Sequence, residues 1–132
     1  MQPRRSTDRP HLVVDGRRAA PIEVAATPRS RARGLLGRDG IDGALLLRPA
    51  RSVHTVGMRF ALDVALCRAD LTVVAVRSVA PGRLVLPQRE VRAVVEAEAG
   101  SFACWGLAAG SRLTIQPSLG IASAGILTEI KF

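Results

Sequence analysis

Residues 52–67 read SVHTVGMRFALDVALC, and this stretch decides the fold. Over most of it a large apolar side chain stands at every second position, with small or polar side chains between. This period-2 pattern is typical of a β-strand that buries one face. His54 heads the apolar face, and Asp63 interrupts the small face. The stretch is long for one strand, so we expect Gly57 or Ala61 to mark a bend or a bulge.

Further strands are predicted on both sides of this stretch. Asp15-Gly16 is a two-residue turn signal between apolar runs, and it predicts a hairpin over residues 11–25. The alternation of residues 91–99 indicates a strand, although Ala and Glu there also favour a helix. A turn at Asp70 predicts that the central stretch pairs antiparallel with the next run. The other predicted strands cover residues 44–47, 71–79, 112–115 and 126–130.

Two short helical segments are predicted. Thr27 can cap the first free amides of a helix over residues 28–36, which starts with a proline, and Gly37 fits its C-terminal end. Ser101 can cap a shorter helical turn that reaches about residue 107 and holds the single Trp.

The chain of 132 residues can bury one core, so we predict one domain over residues 11–132. Residues 1–10 are polar, basic and contain two prolines, which predicts a flexible basic tail. No apolar run reaches the roughly 18 residues of a membrane span, and no apolar stretch of a signal peptide follows the basic start. We therefore expect a soluble, cytoplasmic protein.

The formal net charge is +8, and nearly all of the basic residues are Arg. These Arg residues are scattered, and the chain has only three Phe and one Trp for base stacking, so nucleic-acid binding is disfavoured. No Cys or His spacing fits a zinc site, and no phosphate-binding motif is present, so no metal and no cofactor are predicted. We expect Cys67 and Cys104 to be buried free thiols.

The motifs together resemble the bacterial and archaeal family called domain of unknown function 192, over residues 11–115. Residues 33–36 (RGLL) resemble the R-x-x-G-L-M region of that family, and residues 43–47 its G-M-L-F strand. Many members of that family read W-M-K-N-T-x-x-P-L-D at the central stretch, whereas residues 54–63 (HTVGMRFALD) resemble a subgroup with His-Thr and Met-Arg-Phe before the Asp. Other positions that match the family pattern are Val95-Glu96, Gly100 and residues 106–110.

The resemblance implies a compact, mostly antiparallel α+β domain and no established activity. The resemblance and the predicted strands and helices together predict a mostly antiparallel β-sheet or a partly closed β-barrel. One short helix lies near residues 28–36, and a short helical turn lies near residues 101–107.

Four acidic or basic side chains are candidates for chemistry: His54, Asp63, Glu96 and Glu98. His54 and Asp63 would lie on opposite faces of a straight strand and about 30 Å apart, so they meet only if the chain turns sharply. Asp63 needs hydrogen-bond donors, either the amides of a turn or an Arg, and Arg33 is the candidate partner in a structural ion pair. Glu96 and Glu98 would stand about 6 to 7 Å apart on one strand face, a spacing that suits glycoside chemistry or an ordinary solvated face.

Three functions follow from these residues. The first is a non-enzymatic binding or accessory module that holds a small molecule or an extended, acidic protein segment in a groove beside the central strand. The candidate lining of this groove is His54, Thr55, Met58, Asp63 and Glu96. The second is a hydrolase-like or metal-assisted enzyme that uses His54, Asp63 and Glu96 together. The third, which the scattered charge disfavours, is nucleic-acid binding through Arg.

Overall fold

The computed structural model describes residues 9–118 and folds them into an α+β domain with one large sheet and two short helices. The strands are β1 (His11–Val14), β2 (Arg17–Ala25), β3 (Ala44–Leu47), β4 (Val53–His54), β5 (Leu62–Cys67), β6 (Val73–Val79), β7 (Leu84–Val85), β8 (Ala93–Glu98) and β9 (Leu113–Gln116). The helices are α1 (Pro28–Arg33) and α2 (Ser101–Trp105). Most of the tail predicted over residues 1–10, and the strand predicted at 126–130, lie outside the described residues.

Seven strands form the large sheet in the order β6-β5-β8-β3-β2-β1-β9, and β4 pairs with β7 in a small second sheet. All neighbouring strands are antiparallel except β2 and β3, which are parallel and are connected through α1. The sheet is not closed, so the structure is the open form of the two predicted alternatives. Its two edges touch at one corner, where the Val73 amide donates to the Ser111 carbonyl over 2.8 Å.

The sheet carries an apolar core on each face because its central strands alternate between the two sides. Ala65 and Cys67 of β5 belong to a first core, which also contains Phe102 of α2. Leu62 and Val64 of β5 belong to a second core, which Leu35 and Val53 complete from outside the sheet. Every residue of β5 is therefore buried, and a polar side chain on a central strand lies beneath one of two separate layers.

The predicted continuous strand at residues 54–66 is broken in the structure. β4 ends at His54, β5 begins at Leu62, and residues 55–61 form a connecting loop. Gly57 lies in this loop with φ +81°, a conformation that glycine adopts without steric cost. The predicted break at Gly57 is thus larger than a bend or a bulge, and it separates His54 from the strand that carries Asp63.

The hairpin over residues 11–25 is confirmed, with β1 and β2 antiparallel around Asp15-Gly16. The strand prediction for residues 91–99 is confirmed by β8, which lies between β3 and β5. The pairing predicted across Asp70 is confirmed by β5 and β6.

The helix ends differ from the predictions. Thr27 caps α1 in a capping box, in which the Ser30 amide donates to Thr27 Oγ1 over 3.0 Å. The helix stops at Arg33 and is followed by Gly34 with φ +51°, so the predicted end near Gly37 was wrong. Ser101 makes no capping hydrogen bond at α2, where Gly100 occupies the cap position.

The two thiols lie in different environments. Cys67 is buried in the centre of the sheet as predicted, whereas Cys104 of α2 is exposed, which corrects the prediction for that residue. Neither forms a disulfide. Within residues 9–118, no helix is long and apolar enough to cross a membrane.

Candidate functional site

A small pocket opens on the second-core face of the sheet, between the C-terminal end of α1 and the β4 region, and its volume is about 120 Å³. Its walls are mostly aliphatic, and one carboxyl group, that of Glu96, lies among them. The lining consists of residues 31–36, Leu47, residues 52–54, Val56, Met58 and Glu96.

Glu96 reaches the pocket because β8 directs its even-numbered side chains to the second-core face. Its cross-strand neighbours are Leu45 on β3 and Val64 on β5, both buried in that core. The residue is only 4% exposed, and it makes no hydrogen bond or ion pair within residues 9–118. Desolvation by burial raises the pKa of its carboxyl group to about 7. The pocket therefore contains a buried acid that lacks a donor from the protein.

Gly34 allows the backbone to pass close to this carboxyl group. A Cβ atom at Gly34 would lie 3.7 Å from Glu96 Oε1, and the φ of +51° disfavours any side chain there. The glycine that ends α1 thus also brings the end of the helix against the acid.

The rim of the pocket is basic. Arg31 is half-buried, Arg33 is exposed, and His54 is exposed at the end of β4. None of these three side chains forms an ion pair among the described residues, where the four ion pairs involve other Arg side chains. Two Arg residues, one half-buried and one exposed, therefore line the same pocket as the buried Glu96, and none of the three forms an ion pair within residues 9–118.

Three of the five predicted groove residues share this pocket: His54, Met58 and Glu96. Thr55 does not line it. Thr55 is fully buried, donates from Oγ1 to the Ala80 carbonyl over 2.7 Å and accepts from the Arg83 amide over 2.8 Å. These two hydrogen bonds of the hydroxyl group connect the loop after β4 to the segment before β7.

Asp63 does not line the pocket either. It lies opposite Ala97 on the first-core face, where its Oδ2 accepts from the Gly100 amide over 2.9 Å and from the Phe102 amide over 3.0 Å. These donors belong to the start of α2, so the aspartate takes the capping role that Ser101 was expected to play. Of the two kinds of donor predicted for Asp63, the turn amides are the ones present.

The predicted ion pair between Arg33 and Asp63 is not formed. Arg33 lies beside the pocket on the second-core face, and Asp63 lies on the other face of the sheet. The same separation divides the predicted catalytic set, because Asp63 and Glu96 point to opposite sides of β5 and β8. Among residues 9–118, no group of three His, Cys, Asp or Glu side chains could hold a metal ion.

Arg31 and Gly34 line the pocket, but neither was predicted from the sequence to be a site residue. The RGLL motif at residues 33–36 marked this part of the chain as part of a family pattern. The motif could have indicated the site, because all four of its residues contact the pocket.

The fold and the pocket define a small α+β domain in which one buried carboxyl group, without a partner among residues 9–118, lines a pocket of about 120 Å³. The chain belongs to the family described as "Uncharacterized ACR", domain of unknown function 192, whose model matches residues 11–115. No curated protein matched the chain.

Two solved structures are similar to this chain. A protein of unknown function from Novosphingobium aromaticivorans has 21% identity and a TM-score of 0.67, and the match covers 79% of this chain and 83% of that one. A protein from Sinorhizobium meliloti, described as a putative transcription regulator, has 24% identity and a TM-score of 0.67, with 80% and 90% covered. At these identities the likeness shows the fold alone.

Proposed function

We propose that the protein is a binding module that holds a small ligand, or one side chain of a partner segment, in the Glu96 pocket. The observation that carries this proposal is the state of Glu96, which is buried in the pocket wall and receives no hydrogen bond from residues 9–118. The Glu96 oxygens stay accessible from the pocket, because every fully buried side-chain oxygen among the described residues has a partner, and the partial desolvation of a carboxylate still costs free energy of folding. That cost supports a role in which a ligand supplies the missing donor.

The size of the pocket supports a small occupant. Ligand pockets that hold drug-sized molecules typically have volumes of roughly 300 to 1,000 Å³. A volume of about 120 Å³ suits only a few non-hydrogen atoms. The occupant is therefore a short group, which a free small molecule or a partner side chain can supply.

The test is a fragment screen followed by NMR with ¹⁵N-labelled protein. Binding compounds should raise the melting temperature and shift the amide signals of Gly34, His54 and Glu96. The E96Q variant should weaken these shifts, because an amide presents one acceptor oxygen and no charge.

The matched control is E98Q, because Glu98 lies on the same face of β8 but outside the pocket, where it accepts from the Ile41 amide. Ligand binding should be the same in E98Q and in the natural protein. A screen without any compound that shifts the pocket amides would contradict the binding role.

A second candidate is acid–base catalysis by Glu96, with His54 in the same pocket. The observation in its favour is the raised pKa of Glu96, which at about 7 suits proton transfer near neutral pH. It ranks second because no described side chain orients the Glu96 carboxyl group by a hydrogen bond. Turnover of a pocket ligand that E96Q abolishes would favour the enzyme, whereas ligand recovered unchanged would favour the binding module.

A further inference from the structure

We propose that the Glu96 pocket takes an aminoalkyl group whose ammonium pairs with Glu96 and whose other end bears an anionic group for Arg31 and Arg33. This inference rests on the proposed function and names the chemical class of the ligand. It follows from three ionisable residues, Glu96, Arg31 and Arg33, that line one pocket and form no ion pair with the described part of the chain.

The interior of the pocket selects the ammonium end. Glu96 is the acid in the lining, and a carboxylate in such a setting is best matched by a charged hydrogen-bond donor. An ammonium group is compact and carries three donors, so it fits a narrow space. The surrounding walls, which include Leu35, Leu47 and Val53, match the methylene groups of an alkyl chain.

The rim selects the anionic end. Arg31 and Arg33 are the more solvent-accessible charged residues of the lining and form no ion pair within residues 9–118, and guanidinium is well suited to bind carboxylate. A simple amine would have to pass two positive charges on a protein of net charge +8, which disfavours its approach. A simple acid would gain the rim contacts but would leave Glu96 without a donor. A ligand with both charges satisfies the interior and the rim together.

The volume of about 120 Å³ places the amine and a short chain inside the pocket and the acid outside it. Two sources share this chemistry. One is a free amino acid whose amine and carboxylate are separated by several methylene groups, and the other is a lysine side chain within an acidic segment of another protein.

The experiment compares ligands by NMR titration of the intact chain. The free-ligand probes are 4-aminobutyrate, 5-aminopentanoate and 6-aminohexanoate, with butylamine and butyrate as single-charge controls. The peptide probes are an acidic hexapeptide with a central lysine and the same peptide with norleucine in its place. We expect the best two-charge probe to bind at least about tenfold tighter than either single-charge control. The probe series that binds, free or peptide, identifies the source.

Three variants assign the contacts. E96Q should weaken the best probe by about tenfold or more. The double variant R31Q/R33Q, which removes both charges but keeps long polar side chains, should reduce the preference for that probe over butylamine to about twofold or less, and E98Q should change neither value. Because R31Q/R33Q tests the rim independently, the inference stays testable even if E96Q does not fold.

The outcomes separate this inference from the proposed function. If neutral compounds shift the pocket amides while no amine does, the ligand class is wrong and the binding role stands. If butylamine binds as tightly as the two-charge probes, the role of the rim is wrong. If an amine binds equally well to E96Q, the contact with Glu96 is wrong. If no compound of any class shifts the pocket amides, both the inference and the proposed function fall.

Discussion

At the scale of single residues, the two buried acids differ in whether hydrogen-bond donors compensate the burial of the carboxyl group. Asp63 receives two backbone amides, while Glu96 receives no donor from the described chain. Burial disfavours the charged form of a carboxyl group unless hydrogen bonds or positive charges compensate. The first acid is therefore a structural cap, whereas the second keeps a raised pKa because burial is not offset by hydrogen bonds from the described residues.

Glu96 makes the stability of the protein depend on pH. Its pKa is raised from the ordinary 4.5 to about 7 in the folded protein. Between these values the unfolded chain releases the proton while the folded protein keeps it, so raising the pH favours unfolding. We expect Glu96 to lower the free energy of unfolding by up to about 3 kcal/mol between pH 4.5 and pH 8.

Urea unfolding of the natural protein and of E96Q at pH 5 and pH 8 measures this contribution. The glutamine has no proton to release, so the difference between the two proteins isolates Glu96 from all other titrating groups. E96Q should gain stability relative to the natural protein as the pH rises. A difference that is equal at both pH values would show that the carboxyl group is solvated in the folded protein.

Asp63 should contribute strongly to stability through α2. The D63A substitution removes the acceptor for the Gly100 and Phe102 amides, and buried donors without acceptors are costly. We expect a loss of about 2 to 4 kcal/mol in the free energy of unfolding. The control is D70A, which removes the acceptor of one amide in an exposed turn and should cost much less. Equal losses in both variants would contradict the capping role.

At the scale of elements, Thr55 holds the small sheet of β4 and β7 in place. T55V keeps the shape of the side chain but leaves the Arg83 amide and the Ala80 carbonyl without the hydroxyl group. We expect a loss of about 2 kcal/mol in stability and faster hydrogen exchange at Arg83. T114V, at an exposed threonine on β9, is the matched control and should change stability little. Unchanged exchange at Arg83 in T55V would contradict this role.

Element types were predictable from the sequence wherever side-chain alternation and backbone pairing coincide, as in β5 and β8. They do not coincide at residues 55–61. Met58 and Phe60 pack against the second core from a loop, so the apolar pattern continues where the strand has stopped. Leu35 misled the helix prediction in the same way, because it is buried just beyond the end of α1.

At the scale of the whole molecule, the predicted site was only partly recoverable because it depends on strand register and on strand order. The sequence indicates that Asp63 and Glu96 both lie on strands. It does not reveal that Asp63 pairs with Ala97 and Val64 with Glu96, which places the two acids on opposite faces. His54 and Glu96 come together only because β8 is inserted between β3 and β5.

The buried thiol of Cys67 should report global unfolding, whereas the exposed thiol of Cys104 should not. Cys67 lies in the centre of the sheet, and desolvation raises the pKa of its thiol to about 12, which leaves almost no reactive thiolate at neutral pH. We expect Ellman's reagent to modify Cys104 rapidly and Cys67 only after denaturation. The C104S variant should therefore show no rapid reaction in the folded state. Fast modification of this variant would mean that the sheet opens far more often than its burial indicates.

The connection between β2 and β3 runs through residues 26–43 and includes most of one pocket wall. The strands on either side of it are fixed by pairing within the sheet, whereas connecting segments tolerate changes in length and composition. A changed crossover would therefore alter the pocket wall while the paired strands stay as they are. Under the binding role proposed above, grafting crossovers from related proteins onto this sheet would change which groups the pocket accepts without rebuilding the scaffold.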